Sequence, residues 1–228
     1  MDANSVDVEP PRPRGARRLP PTLAAAGICA GAIALALAAG LILARHPFGF
    51  DRTIIVAVHG AGPAWLRAAA IDLTALGGVT VLTLAVVATI VLLLAERLRT
   101  TALLVAAATL SGSWVVTALK DAFGRARPGI VDHMVAASGM SFPSGHAANS
   151  AVVYLTIAAL VSQVAAARAV RNAVVAIAVL LVGMIGATRV YLGVHWPSDV
   201  LAGWSFGTLW AIGWWQIAKR TRPMLTAG

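Results

Sequence analysis

Six stretches of this chain, each 18 to 25 residues long, are almost free of charge: Thr22–Ala44, Ile71–Ala95, Thr100–Leu119, Ala147–Ala167, Ala173–Val190 and Val200–Ala218. Asp72 stands at the margin of the second and Arg189 at the end of the fifth. About 20 apolar residues in a helix cross a hydrocarbon layer of about 30 Å. Composition agrees, since the 228 residues are 59% hydrophobic and only 12% charged, with a mean hydropathy of +0.81. An ordinary soluble domain is roughly 25% charged, and a globule with half that could not cover its surface. The same figures exclude disorder for most of the chain. The expectation is an all-α integral membrane bundle of six transmembrane helices, occupying residues 22–218.

Residues 1–21 form a basic, proline-rich tail with no packed structure expected, and residues 219–228 a second short basic tail. Thr22–Ala44 is too long for a cleaved signal peptide, whose apolar core runs about 7–15 residues. Arg17-Arg18 matches a twin-arginine signal only as a dipeptide. Arg45–Ala70, with Pro47, Gly49, Gly60, Gly62 and Pro63, reads as an interfacial loop holding a short surface helix around Trp65–Ala70.

The net charge of +9 would suggest nucleic acid in a soluble protein. Here no nucleic-acid partner is expected, because the aromatic residues, 6% of the chain, lie mostly in the apolar blocks and offer no stacking platform. Basic residues instead mark cytoplasmic loops. With a cytoplasmic amino terminus, the inner segments hold 11 of the 18 Lys and Arg residues and the outer segments 7. Both termini are therefore expected inside, in a multi-pass protein of the cell membrane. Trp65 and Trp196 fall at the outer boundary and Trp214-Trp215 at the inner one, as an aromatic belt would place them. The single cysteine, Cys29, allows neither an internal disulfide nor a cysteine metal site. Gly27-x3-Gly31 and Gly203-x3-Gly207 read as close packing within the bundle.

Three polar clusters interrupt this background. Lys120 to Pro128 ends the third span, Ser141 to His146 opens the fourth, and Thr188 to Asp199 links the fifth and sixth. Helix parity places all three on the outer face, where one site can share them. Lys120, Arg127 and Arg189 supply three cations, and the guanidinium forks of the two arginines suit phosphate oxygens. Ser144 can cap the helix after Pro143. Gly145 lets backbone N–H groups approach an anion at the positive end of the helix dipole. His195 and Asp199 are spaced i, i+4, so one helical turn brings the carboxylate to the imidazole. One ring nitrogen is then left free as nucleophile or base. His146 has no such partner nearby, which suits a proton donor.

The chemistry that uses this set is in-line displacement at phosphorus, with charge on the equatorial oxygens held by the cations and by the N–H groups near Ser144 and Gly145. No metal and no cofactor is expected, because three convergent cations would repel a divalent ion. Each residue taken singly has a duller reading. The cations could anchor helix ends, His195 and Asp199 could form a structural pair, and Pro-Ser-Gly could be a plain turn. Arg125 and His133 read as loop residues, and His46 and His59 as polar groups of the first outer loop.

Together the clusters resemble the type 2 phosphatidic acid phosphatase superfamily, whose pattern is Lys-x6-Arg-Pro, Pro-Ser-Gly-His and Ser-Arg-x5-His-x3-Asp. Lys120 to Pro128, Pro143 to His146, and Arg189, His195 and Asp199 match it, with Thr188 in place of the usual serine. The resemblance covers about Ile71 to Ala218. It implies a six-helix membrane enzyme that removes phosphate from lipid phosphates without a metal. By the family's roles Lys120, Arg127, Ser144, Gly145 and Arg189 are phosphate ligands, His146 the general acid, His195 the nucleophile and Asp199 its orienting partner. Soluble vanadium haloperoxidases share the motifs, but this composition argues against a soluble fold.

An outward-facing site suits an isoprenoid diphosphate of the undecaprenyl type, and a glycerolipid phosphate is the runner-up. The partners are thus a lipid phosphate substrate and the bilayer itself. A phosphotransferase with the same histidine chemistry would differ only in passing phosphate to an alcohol. A transporter would carry ionisable groups in mid-span, and these stretches have essentially none there.

Overall fold

The computed structural model describes residues 21–44, 48–165 and 167–225. Of the tail expected at residues 1–21 all but Pro21, which begins a helix, lies outside it, as do His46 and residues 226–228. Helices follow one another in the order α1 (Pro21–Ala44), α2 (Gly49–Val58), α3 (Ala64–Ala75), α4 (Val79–Ala95), α5 (Arg99–Phe123), α6 (Gly145–Ser150), α7 (Thr156–Val164), α8 (Arg168–Tyr191) and α9 (Pro197–Leu225). Between α6 and α7 the chain makes one π turn, Ala151–Leu155, so that Gly145–Gln163 runs as a single span.

Among the described residues four helices are long and apolar enough to cross a membrane, and the bent pair α3–α4 would make five. Ile28, Leu35, Leu84, Leu92, Leu103, Leu110 and Leu180 all stand exposed on these helices. That much apolar surface suits lipid as the solvent and would be a liability in water. The protein is a multi-pass, all-helical membrane protein. α9 has the length of a span, 29 residues, but begins with the polar Ser198-Asp199 and ends with Lys219, Arg220 and Arg222.

Two groups of buried residues fix the ends of the bundle. Leu93, Ala102, Leu160 and Ala218 pack together where α4, α7 and α9 finish and α5 starts. Leu41, Phe142 and Ala202 meet at the opposite end. The polar clusters all sit at this second end, as helix parity requires.

Two expectations are corrected here. Ile71–Ala95 is not one straight span, because the helix breaks at Leu76–Gly78 and turns by 49°. Gly77 and Gly78 lack the side chains that would hold a helix together, and Gly78 serves as the N-cap of α4. The break frees the carbonyl of Leu76, which accepts a 2.8 Å hydrogen bond from the Tyr154 hydroxyl of the π turn. α4 alone has 17 residues, about 25 Å of helix. Arg45–Ala70, read as a loop, folds from Gly49 onward largely into helix. Gly60 and Gly62, both at positive φ, punctuate the junction between α2 and α3.

The Gly203–Gly207 pair serves packing inside the bundle, whereas a Cβ at Gly31 would meet nothing within 4 Å. A Cβ at Gly207 would collide with Cβ of Ala151, and one at Gly203 would lie 2.8 Å from the Ala148 nitrogen. The π turn thus sits where α9 approaches most closely.

Candidate active site

α5 ends on Gly124, whose left-handed φ of 58° lets its N–H close back on the Lys120 carbonyl at 3.0 Å. This places Lys120 in the last turn of the helix, beside the start of α6. A Cβ on Gly145 would lie 3.3 Å from Cε of Lys120, so glycine is what lets the lysine lie across that helix start. Ser144 is the N-cap, fully buried, and its hydroxyl accepts from the Ala147 N–H at 3.5 Å. The first N–H groups of α6 have no partner within their own helix.

The three expected cations come together. Arg127 and Arg189 both act electrostatically on Lys120, and the charges of Arg189, Arg127 and Lys120 all reach His146. None of the three pairs with a carboxylate among the described residues. Arg189, 4% exposed, gives one N–H to Thr74 Oγ1, while its Nε is buried with no hydrogen-bond partner. Such a group calls for an anion, since a buried charge is costly unless paired.

Arg127 is more committed. It donates to the carbonyls of Ser138, Gly139 and Val194 and contacts Nε2 of His195 at 3.0 Å, which leaves one of its five N–H groups. Burial pushes this guanidinium below its ordinary range, with Asp199 opposing. Lys120 likewise donates to Met140 O at 2.8 Å. The loop over the site is therefore tied to the groups beneath it.

His195 is 2% exposed. A guanidinium is always a donor, so Nε2 must offer its lone pair to Arg127, and the ring proton is assigned to Nδ1. Nδ1 lies 3.5 Å from Asp199 Oδ2 and 3.3 Å from Ser141 Oγ, and that hydroxyl itself donates to the same Oδ2 at 2.5 Å. Burial holds the pKa of His195 at about 4, with the hydrogen bond and charge of Asp199 pushing the other way. The imidazole is neutral at neutral pH, with Nε2 in a nucleophile's protonation state. His146 lies against the α3–α4 break, where a Cβ on Gly77 would be 3.3 Å from its Cδ2. Among the described residues no three His, Cys, Asp or Glu side chains gather as metal ligands would.

Sequence reading missed Thr74, which holds Arg189, and two further residues here. Arg125, taken as a loop residue, bridges Asp199 Oδ1 at 2.5 Å and Asp51 Oδ2 at 2.8 Å. Asp51, fully buried on α2, is thus a second carboxylate beside the site, where only Asp199 was expected. An aspartate one turn ahead of the apolar run Ile54–Val58 was the available signal, since a buried carboxylate demands a partner. Trp196, assigned to an interfacial belt, is instead buried. Its ring lies under the Arg125 guanidinium and its N–H donates to Ala126 O at 3.1 Å. His133 contacts Pro128 O at 2.8 Å, and His59 packs against Gly193.

Comparison with known proteins follows the same lines. A family model described as the PAP2 superfamily matches residues 101–223. Phosphatidylglycerophosphatase B of Bacillus subtilis is 42% identical over 92 residues, 40% of this chain and 45% of the relative. Lipid A 1-phosphatase of Rhizobium etli is 36% identical over 111 residues, 43% of this chain and 40% of the relative. The chain thus matches less than half the length of these relatives. Among solved structures, a transmembrane PAP2-type phosphatidylglycerolphosphate phosphatase from Bacillus subtilis superposes with a TM-score of 0.75 at 28% identity, over 87% of this chain and 96% of that one. Aquifex aeolicus LpxE superposes with a TM-score of 0.59 at 25% identity, over 76% and 96%.

Proposed function

Because the chain belongs to the PAP2 superfamily, we propose that it is a membrane lipid phosphate phosphatase working through a phosphohistidine at His195. The observation that carries this reading is a contrast among four cations. Arg125 is neutralised by two carboxylates, while Lys120, Arg127 and Arg189 converge without one among the described residues. That leaves a concentrated positive charge beside a neutral imidazole, which suits a phosphate dianion.

In this reading Lys120, Arg127, Arg189 and the Gly145 N–H hold the phosphate oxygens, while Ser144 shapes the helix start, its own N–H being donated to the Asp199 carbonyl at 3.0 Å. Nε2 of His195 attacks phosphorus in line as the bond to the lipid oxygen breaks, and His146 gives that oxygen its proton. Asp199 steadies the positive ring through Nδ1–H. Water then attacks the phosphoimidazole, losing a proton to His146 as the N–P bond breaks, which releases phosphate and restores both His195 and His146. No step is assigned to a metal.

The names of the relatives favour a glycerolipid or glycolipid monophosphate, such as phosphatidylglycerol phosphate, over the isoprenoid diphosphate taken first from sequence. The topology proposed with it has six spans, α3–α4 as the second and α9 as the last. Residues 22–218 form the membrane domain, both tails are cytoplasmic, and the site lies at the outer boundary. The excess of Lys and Arg on one side supports this orientation. A panel of lipid monophosphates and diphosphates, assayed for released phosphate in detergent with and without an alcohol acceptor, tests the reading. Release from none of them overturns it, and transfer to the acceptor in place of release makes it a phosphotransferase.

A further inference from the structure

Asp199 has two oxygens, and they do different things. Oδ2 accepts from Ser141 Oγ and from the backbone N–H of Trp196 at 2.9 Å, and faces Nδ1 of His195. Oδ1 is held by Nη1 of Arg125. With Arg125 on one oxygen and Ser141 and Trp196 on the other, the plane of the carboxylate facing His195 is fixed, and Arg125 is the only charged group among these partners. Arg125 is fixed in turn. Nη1 also donates to Ser198 Oγ at 2.7 Å, Nη2 donates to Asp51 Oδ2 at 2.8 Å, and the Trp196 ring lies 5.6 Å from Cζ.

Asp51 does more than hold the arginine. Its Oδ1 accepts the Ser198 N–H at 2.7 Å and its Oδ2 the Ser198 hydroxyl at 2.6 Å. A carboxylate from α2 thereby caps the first turn of α9, the helix that carries Asp199, at the end where negative charge is favoured. Asp51, Arg125 and Asp199 together carry one net negative charge. It lies behind the imidazole, which becomes positive when Nε2 bonds to phosphorus.

We propose that Arg125 and Asp51 are positioning residues for the His195 reaction, acting through Asp199, and that α2 is thereby part of the active site. The inference rests on the phosphatase reading above. The plainer alternative is that the pair merely fastens α2 to the bundle.

Steady-state kinetics on the purified full-length protein in detergent separate the two. Asp51→Asn keeps the shape of the side chain but removes its charge, and is expected to lower kcat by about 10- to 100-fold, as loss of an outer partner to a reactive group commonly does. KM should stay within about twofold, because the phosphate ligands are untouched. Arg125→Lys keeps the charge without the fork, and should fall between wild type and Asp51→Asn. In an Asp199→Asn background, Asp51→Asn should change kcat by less than about twofold, since its route to His195 is already cut. Effects that multiply in the double variant, or an Asp51→Asn protein with wild-type kcat, overturn the inference. So does a lower thermal midpoint in Asp51→Asn with kcat per folded molecule unchanged. Wild-type protein that releases no phosphate from any lipid phosphate overturns the parent reading and this one with it, whereas active wild type with multiplicative variants overturns only this one.

Discussion

Nη1 of Arg189 donates to Oγ1 of Thr74 at 2.9 Å, joining residues 115 positions apart. Thr74 stands in the last turn of α3, immediately before the break at Leu76–Gly78. The interruption of that helix is therefore a feature of the candidate active site. It delivers a hydroxyl to the buried arginine and brings the small Gly77 against His146. Thr74→Val keeps the side-chain volume and leaves Nη1 short of one partner, a loss of about 1 kcal/mol. Substrate affinity should weaken about five- to tenfold with a smaller change in kcat, and inhibition by orthovanadate should weaken in parallel. Unchanged KM and unchanged inhibition would show that Arg189 is not oriented by this bond.

Removing the imidazole altogether is the severest change. His195→Ala should lower phosphate release by on the order of 10³-fold or more while the thermal midpoint holds. Wild-type activity should survive excess chelator. Inactivation by chelator, restored on adding a divalent ion, would refute the chemistry assigned to His195.

Acid should act through His195 in a definite direction. Its pKa in the fold is about 4, below the ordinary value of 6.5. Between those values the unfolded chain binds more protons at this residue than the folded one does. Its contribution to stability is therefore lost progressively as pH falls from 6.5 to 4, with no further loss below. Because the ring stays neutral down to about pH 4, the rate of phosphoenzyme formation should not fall by titration of His195 until that region is approached. Rapid-quench measurement against pH, with unfolding followed in parallel, checks both. A loss of nucleophile centred on the ordinary histidine value would contradict the buried position of the ring.

Packing of α9 on the π turn should be equally sensitive. Gly207→Val places atoms where Ala151 already stands, and overpacking of this kind costs about 1–3 kcal/mol. A lower thermal midpoint is expected, together with lost activity, because the same helix carries Asp199. A midpoint equal to wild type would mean that α9 and the π turn can separate without cost.

Much of this was legible from residue order. Long apolar stretches marked the helices α1, α5, α8 and the Gly145–Gln163 span to within a few residues. Lys120, Ser144, Gly145, His146, Arg189, His195 and Asp199 lie at helix ends that parity alone puts on one side. Boundaries went astray where the signals were weak. The pair Gly77-Gly78 inside an unbroken apolar run was not enough to reveal a 49° bend, since glycine is common in membrane helices. The glycines and prolines of 45–70 suggested loop, although the short amphipathic α2 fits between them.

What the order of residues determined by itself is local: which stretches prefer lipid to water, where helices begin and end, and which reactive side chains recur at helical spacing. These follow from hydrophobicity and from a fixed rise per residue, and need no knowledge of neighbours. Only the tertiary structure decided which cation meets which carboxylate. Arg125 finds Asp51 and Asp199 across 74 positions each way, and Asp51 caps Ser198 across 147. Such pairings depend on distance through space, because a buried charge is stabilised by whatever opposite charge the fold brings within a few ångströms. The same local pattern of one lysine and three arginines could thus leave three cations without a carboxylate or four already neutralised, and the packing of α2 against α9 made it three.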